Sequence, residues 1–335
     1  MNSAAPDSRE YEVKKLALRY GIAAAILILN SQWLTAVFVA VTYSVVALLP
    51  NAAELSNTGT DSGFVLIMFL NEIASYLFPL IGFMVVFRGD LARNGKTPPG
   101  EGYRRFIGET PVLYLAGIGV AMTCGTFTSI ISRLLNYLLG IPQTKTAFSD
   151  TLPTSPVMFA AFMFCICVIA PVSEELLYRH ILLRPLRQYG DIMPAFISAL
   201  LFALSHYNFD QFLYTFGFGF FLAIIAIRSD SVIPTIIVHS LNNIVVCFNT
   251  YMPETFGSDS LDSFFHTLGG ICSRIENTLF FAGLFAALLT IPLHLLRLKE
   301  GDIPAKRQFV LFLKSPLFVA SVGIMLVITF LKLYK

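Results

Sequence analysis

Charge is what this chain has little of. Only 13% of its 335 residues are Asp, Glu, Lys or Arg, against roughly 25% in soluble domains. Hydrophobic residues make up 56% and the mean hydropathy is +0.70, which excludes a soluble globular protein and implies an integral membrane one. Cysteine is scarce and odd in number: Cys124, Cys165, Cys167, Cys247 and Cys272. Four of the five lie in apolar runs, so no disulfide framework is implied and they read as packing residues. Cys165 and Cys167, two apart, fall on different faces of a helix. No His is followed by Glu, which removes the His-Glu-x-x-His zinc motif. No internal repeat is present, and no nucleic-acid partner is expected.

Apolar runs are abundant. Lys14, Lys15 and Arg19 precede one that continues from Ile22 almost to Leu49, far longer than a secretory h-region of roughly 7–15 residues, so an uncleaved first span is expected. Windows of about 20 apolar residues place nine spans, near 22–49, 63–87, 111–139, 157–183, 192–206, 211–228, 231–249, 277–298 and 316–334. The fold class is therefore all-α, a polytopic transmembrane helical bundle. With 31 Phe and 22 Gly, small residues are available for helix interfaces and bulky ones for lipid. Asn30, Ser31 and Gln32 interrupt the first span, which suggests that it begins as an interfacial helix. With a cytoplasmic N-terminus, 18 of the 23 Lys and Arg residues fall on the inside, as the positive-inside rule requires. The basic, Gly- and Pro-rich stretch 88–110 reads as a cytoplasmic connector. The stretches 140–155 and 250–276 read as outside loops, the latter with SLDSFFHTLGGI along the interface.

Three polar intrusions break the apolar pattern. The first is Glu174, Glu175 and Arg179 in the fourth span, where carboxylates are costly unless paired or functional. Glu175 and Arg179, four apart, share a helix face and can pair. Glu174 points about 100° away with no local cation, which leaves it free to act as a general base. The second is Phe202 with His206, the third His239 with Asn243, again four apart. At 1.5 Å per residue, Glu174, His206, His239 and Asn243 lie roughly 10–21 Å from the cytoplasmic span ends, so they can converge in one cavity. A carboxylate and an imidazole can deprotonate a water while a second imidazole and an amide stabilise an oxyanion. Alternatively, His206, His239 and Glu174 can form a zinc shell with an open position for water. Both chemistries stay open. Glu72, beside Asn71, is a further buried acid, read as a packing or water-cavity group.

The motifs Glu174-Glu175-x-x-x-Arg179, Phe202-x-x-x-His206 and His239-x-x-x-Asn243, in this order on successive apolar helices, resemble the CAAX protease and bacteriocin-processing enzyme (CPBP) family, which includes the type II CAAX prenyl endopeptidases. Gly217, Gly219, Arg228, Ser229 and Pro234 extend the resemblance over about residues 155–250. It implies an intramembrane endopeptidase acting on a membrane-associated or prenylated protein or peptide. Glu174 would be the water-activating base and His206 its partner. His239 and Asn243 would sit at the oxyanion or metal, with Glu175, Arg179 and Phe202 as structural support. Zinc and a metal-free glutamate–water mechanism are both compatible, and annotation of the family commonly says metalloprotease. Neither the Gly-x-Ser-Gly of rhomboids nor the Gly-x-Gly-Asp of presenilin-like proteases is present. Three parts are expected: N-terminal helices with a basic loop over 1–150, a protease core over 151–250 and C-terminal helices over 251–335. The bacterial plasma membrane is the expected location. Two other classes compete: a noncatalytic scaffold or immunity protein of the same family, and a proton-coupled transporter relaying through Glu174 and Glu72.

Overall fold

Backbone N–H and C=O groups in hydrocarbon have only each other as partners, so long apolar runs fold as helices. The computed structural model of the chain describes residues 6–93, 99–139, 153–250, 259–290 and 298–332, and among these no β-strand occurs. Helix α1 (Pro6–Leu29) runs through a π-helical turn at Asn30–Leu34 into α2 (Thr35–Val46), and the short α3 (Ala52–Leu55) leads to α4 (Asp61–Arg93) and α5 (Pro99–Leu139). The stretch from Pro156 is one bent path: α6 (Pro156–Phe164), a π segment (Cys165–Ile169), α7 (Ala170–Glu175), a second π segment (Leu176–Leu182) and a 3-10 turn (Arg184–Tyr189). There follow α8 (Ile192–Ser205), α9 (Phe209–Ser229), α10 (Ile233–Thr250), α11 (Asp259–Thr290), α12 (Ala305–Leu313) and α13 (Pro316–Leu331).

Among the described residues four helices are long and apolar enough to cross a bilayer: Ser8–Val46, Asp61–Asp90, Pro156–Tyr189 and Gln211–Ser229. A fifth is added if Ala305–Leu313 and Pro316–Leu331, bent by 83°, count as one span. The expected nine are not reached. Ile192–Ser205, at 14 residues, is apolar but at 1.5 Å per residue falls short of a hydrocarbon core about 30 Å thick, whereas the apolar pieces Pro111–Thr123 and Ile233–Phe248 belong to the longer α5 and α10. Asn30, Ser31 and Gln32, which interrupt the apolar run of the first span, lie in the π turn of a continuous helix. In the stretch 88–110, read as a cytoplasmic connector, α4 continues to Arg93 and α5 begins at Pro99. Of the stretches expected as outside loops, 140–155 and 250–276, residues 140–152 and 251–258 lie outside the described residues, while 259–276 is helical, the first part of α11; residues 291–297, which include His294, and the side chain of His266 also lie outside the described residues.

The lipid-facing side is legible on α2. Val37, Val41 and Val45 form one stripe at four-residue spacing and are 57%, 58% and 58% exposed, a patch that suits acyl chains. Inside, Tyr20 of α1, Phe83 and Phe87 of α4, Leu182, Leu201 of α8 and Phe312 of α12 pack into one cluster, so both ends of the chain embrace the middle. Arg19 pairs with Asp90 at 2.6 Å, and Gln308 donates to the Tyr189 carbonyl at 2.6 Å. Cys165, Cys167 and Cys247 are free, buried and in one apolar cluster. Although Cys165 and Cys167 point to different faces, α4 covers one side of their segment and α10 another; the side chains of Cys124 and Cys272 are not described.

Helices α5 and α11 cross where both carry glycine. A Cβ added to Gly119 would lie 2.1 Å from the Gly283 carbonyl carbon, so the backbones touch, the small-residue contact that replaces hydrophobic driving force in lipid. Gly119→Leu is expected to destabilise the protein by about 1–3 kcal/mol through overpacking, read as an earlier unfolding transition in an SDS titration of mixed micelles. An unchanged transition would show that the two helices do not meet there.

Candidate active site

Pro171 lacks an N–H for the Cys167 carbonyl, and its ring crowds that turn; the chain answers with the widened π segment Cys165–Ile169 directly before α7. A second π segment, Leu176–Leu182, follows α7. Glu174 and Glu175 thus sit on one short turn of α-helix between two wide turns, an irregularity that recurs at functional sites.

Glu175 is fully buried and Arg179 is 1% exposed, and the two pair at 3.2 Å across one turn. Arg179 also donates to the Gly219 carbonyl at 3.2 Å and lies 4.4 Å above the Phe202 ring, a cation–π contact strengthened by desolvation. A Cβ at Gly219 would stand 2.7 Å from Phe202 Cδ1 and 3.2 Å from Arg179 Nη2, so only glycine lets α9 approach this closely. Packing, not ligand binding, accounts for this glycine, as expected.

Glu175 does more than pair with Arg179. Its Oε1 accepts from His239 Nδ1 at 2.9 Å, which orients that imidazole and leaves His239 Nε2 facing Glu174 Oε2 at 3.6 Å. The carboxylate behind a histidine fixes its tautomer and direction. Glu174 is held from the other side by Tyr76 of α4, whose hydroxyl donates to Oε1 at 2.9 Å. His206 caps α8, with Nδ1 2.9 Å from the Phe202 carbonyl. Because a carbonyl only accepts, Nδ1 carries the hydrogen in the neutral ring and Nε2 remains an acceptor. The Phe202 ring lies between the two histidines, its centroid 4.9 Å from that of His206 and 5.8 Å from that of His239.

Glu174 and His206 line the same cavity of about 340 Å³, together with Tyr76, Ser75, Asn30 and Tyr207. His239 and Asn243 are not on its wall. His239 stands behind Glu174, whereas Asn243 donates to the Ile166 carbonyl at 2.9 Å, a carbonyl in the first π segment. Its neighbour Asn242 accepts from Tyr214 at 3.1 Å and donates to Asn243 at 3.4 Å. Glu72, one turn before Tyr76, has a buried Oε2 without a hydrogen-bond partner and feels the charge of Glu174. Among the described residues no three His, Cys, Asp or Glu side chains gather into a group able to hold a metal. The expected zinc shell of Glu174, His206 and His239 is not gathered into one such group, and no step below runs through a metal.

Tyr76, Asn30 and Tyr207 went unnoticed as site residues in the sequence. The only signals were the four-residue spacing of Glu72 and Tyr76 on α4 and the polar interruption at Asn30.

Removing one partner of the buried pair leaves an uncompensated charge, at about 3–5 kcal/mol. Arg179→Met is expected to destabilise by that amount in an SDS titration, and Glu175→Gln combined with Arg179→Met to cost less than the two single losses added. Strict additivity would mean that the pair is not coupled.

Residues 156–245 match the family model described as Type II CAAX prenyl endopeptidase Rce1-like. No curated protein and no solved structure matches the chain.

Proposed function

With residues 156–245 carrying the Rce1-like type II CAAX prenyl endopeptidase pattern, consistent with the CPBP family, we propose that the protein is an intramembrane endopeptidase that hydrolyses a peptide bond in a membrane-associated, prenylated protein or peptide. The observation that carries this reading is that Glu174 and His206, from two separate motifs, share one cavity. Both present acceptors to it, so a water there has a carboxylate and an imidazole nitrogen to donate to. Glu174 takes one proton, the hydroxide adds to the substrate carbonyl, and Glu174 returns the proton to the leaving amine. The oxyanion role of His239, through Nε2–H when both of its ring nitrogens carry hydrogen, and of Asn243, through the amide hydrogen not used on Ile166, requires the substrate carbonyl to reach past Glu174, because neither side chain lines the cavity. Tyr76 and Glu175 are positioning residues, for Glu174 and His239 respectively.

The catalytic unit of this reading is residues 151–250, placed by nine spans in a bacterial plasma membrane with a cytoplasmic N-terminus. The basic-residue bias supports that topology; cysteine-accessibility labelling that finds residues 8–12 outside would reverse it.

The protein in nanodiscs is tested against peptides ending in S-farnesyl-cysteine and three further residues, with products read by mass spectrometry. Glu174→Ala and His206→Ala are each expected to lower kcat/KM by about 10²–10⁴-fold, and activity that survives both substitutions would sink the assignment. Prior treatment with chelator is expected to leave the wild-type rate unchanged. Loss on chelation with recovery on adding zinc would replace the glutamate–water step by metal chemistry.

A further inference from the structure

Two buried polar atoms in the same cavity have no role in the chemistry above. Asn30 is 6% exposed and Tyr207 3% exposed, and Asn30 Oδ1 and Tyr207 Oη have no hydrogen-bond partner. Both side chains line the cavity that holds Glu174 and His206. We propose that Asn30 and Tyr207 form a subsite for the main chain of an extended peptide, Asn30 Oδ1 accepting an amide N–H and Tyr207 Oη donating to a carbonyl. This assignment rests on the proteolytic reading and deepens it by naming what holds the substrate beside Glu174.

A buried donor or acceptor without a partner is costly, and native structures rarely keep one unless a ligand or water satisfies it. Neither atom is idle for want of neighbours. Asn30 already uses Nδ2 on the Ser75 carbonyl of α4 at 3.0 Å, which fixes the amide plane and leaves Oδ1 as the spare acceptor. The Tyr207 hydroxyl lies toward Ser31 but has no partner in full hydrogen-bond geometry; Ser31 Oγ donates to the Ile28 carbonyl at 3.1 Å and accepts from Gln32 at 3.0 Å. The Tyr207 ring is held by the Lys332 ammonium, 5.5 Å from its centroid.

The backbone under both residues is irregular. Asn30 opens the π turn Asn30–Leu34, and Tyr207 has φ +48°, a left-handed conformation that a bulky aromatic seldom adopts. Such strain persists where the surroundings over-determine it, and it clusters at ligand clamps. Tyr207 directly follows His206, so the turn that aims the imidazole also aims the hydroxyl. A neutral acceptor and a neutral donor match the N–H and C=O of a peptide. They do not match an anion, which Glu174 in the same cavity would repel.

The test uses the full chain with Glu174→Gln, so that binding is read without turnover. The probe is a fluorescent octapeptide ending in S-farnesyl-cysteine and three residues, together with analogues N-methylated at one amide each. Tyr207→Phe and Asn30→Ala are each expected to weaken binding by about 3- to 10-fold and, in a Glu174 background, to raise KM. One N-methyl analogue is expected to lose affinity for the parent protein but not for the Asn30→Ala form. Tyr207→Phe keeps the ring and its packing. If Asn30→Ala fails to fold, Tyr207→Phe and the N-methyl series still decide the matter. Binding of every analogue at parent affinity, with Tyr207→Phe indistinguishable from its parent, overturns the subsite and leaves the proteolytic reading standing. A protein that neither binds nor cleaves any peptide of the set overturns both.

Discussion

The ion pair of Glu175 and Arg179 is the constraint on which the site depends. Two opposite charges excluded from water depend on the groups packed around them. Here those groups come from three other elements: the Gly219 carbonyl of α9, the Phe202 ring of α8 and the His239 imidazole of α10. Each contact fixes the azimuth of a helix that carries a functional side chain. The pair thus locks the motifs against one another while leaving Glu174, the adjacent carboxylate, bonded to Tyr76, 3.6 Å from His239 and facing the cavity. The division between Glu175 as positioning group and Glu174 as working group follows from this packing: Glu175 is fully buried against a guanidinium and an imidazole, whereas Glu174 lines the cavity that a water can enter.

The π segments are the second half of the same economy. Each wide turn leaves carbonyls poorly served by the helix, and a bilayer offers nothing to satisfy them. Side chains from distant helices fill the gap. Asn243 of α10 takes the Ile166 carbonyl and Ser198 of α8 the Tyr178 carbonyl, each at 2.9 Å, and Tyr20 of α1 takes that of Leu182. The irregular helix that carries Glu174 is therefore held open from several sides, and the same bonds tie the N-terminal helices to the middle of the chain.

What was legible in the sequence had a short-range cause. Glu175 with Arg179 and Phe202 with His206 are four apart on single helices, so their proximity follows from helical geometry alone. Depth and motif order led to the expectation that Glu174, His206, His239 and Asn243 converge in one cavity; Glu174 and His206 line one, and His239 and Asn243 do not. His239 and Asn243 were expected to act together because they share a face. Instead they contact different groups, one Glu175 and the other the Ile166 carbonyl, because α7 and the preceding π segment present different partners one turn apart. Tyr76 lies 98 positions from the carboxylate it binds, and no periodicity reports a contact of that range. The left-handed Tyr207 was equally hidden, since the turn residue that follows it, Asn208, marks a turn but not which residue takes the positive φ. The nine-span count is not confirmed among the described residues, where four helices qualify, or five if α12 and α13, bent by 83°, make one span; a hydropathy window does not register such a bend.

The cavity also divides the labour between the two parts of the chain. The segment 156–245 that matches the family supplies Glu174, His206, His239 and Asn243, whereas Tyr76, Ser75 and Asn30 on the facing wall come from α4 and the first span. Chemistry needs fixed groups at fixed spacing, which one compact segment can provide. Recognition of a particular peptide needs only a surface shaped to meet it, and that surface can be rebuilt without disturbing the buried pair. Apart from Tyr76, which holds Glu174, a wall built from the first span and α4 leaves the hydrolytic groups untouched when its side chains change, since Arg179, Gly219 and Phe202, which hold the matched segment in register, all lie within that segment.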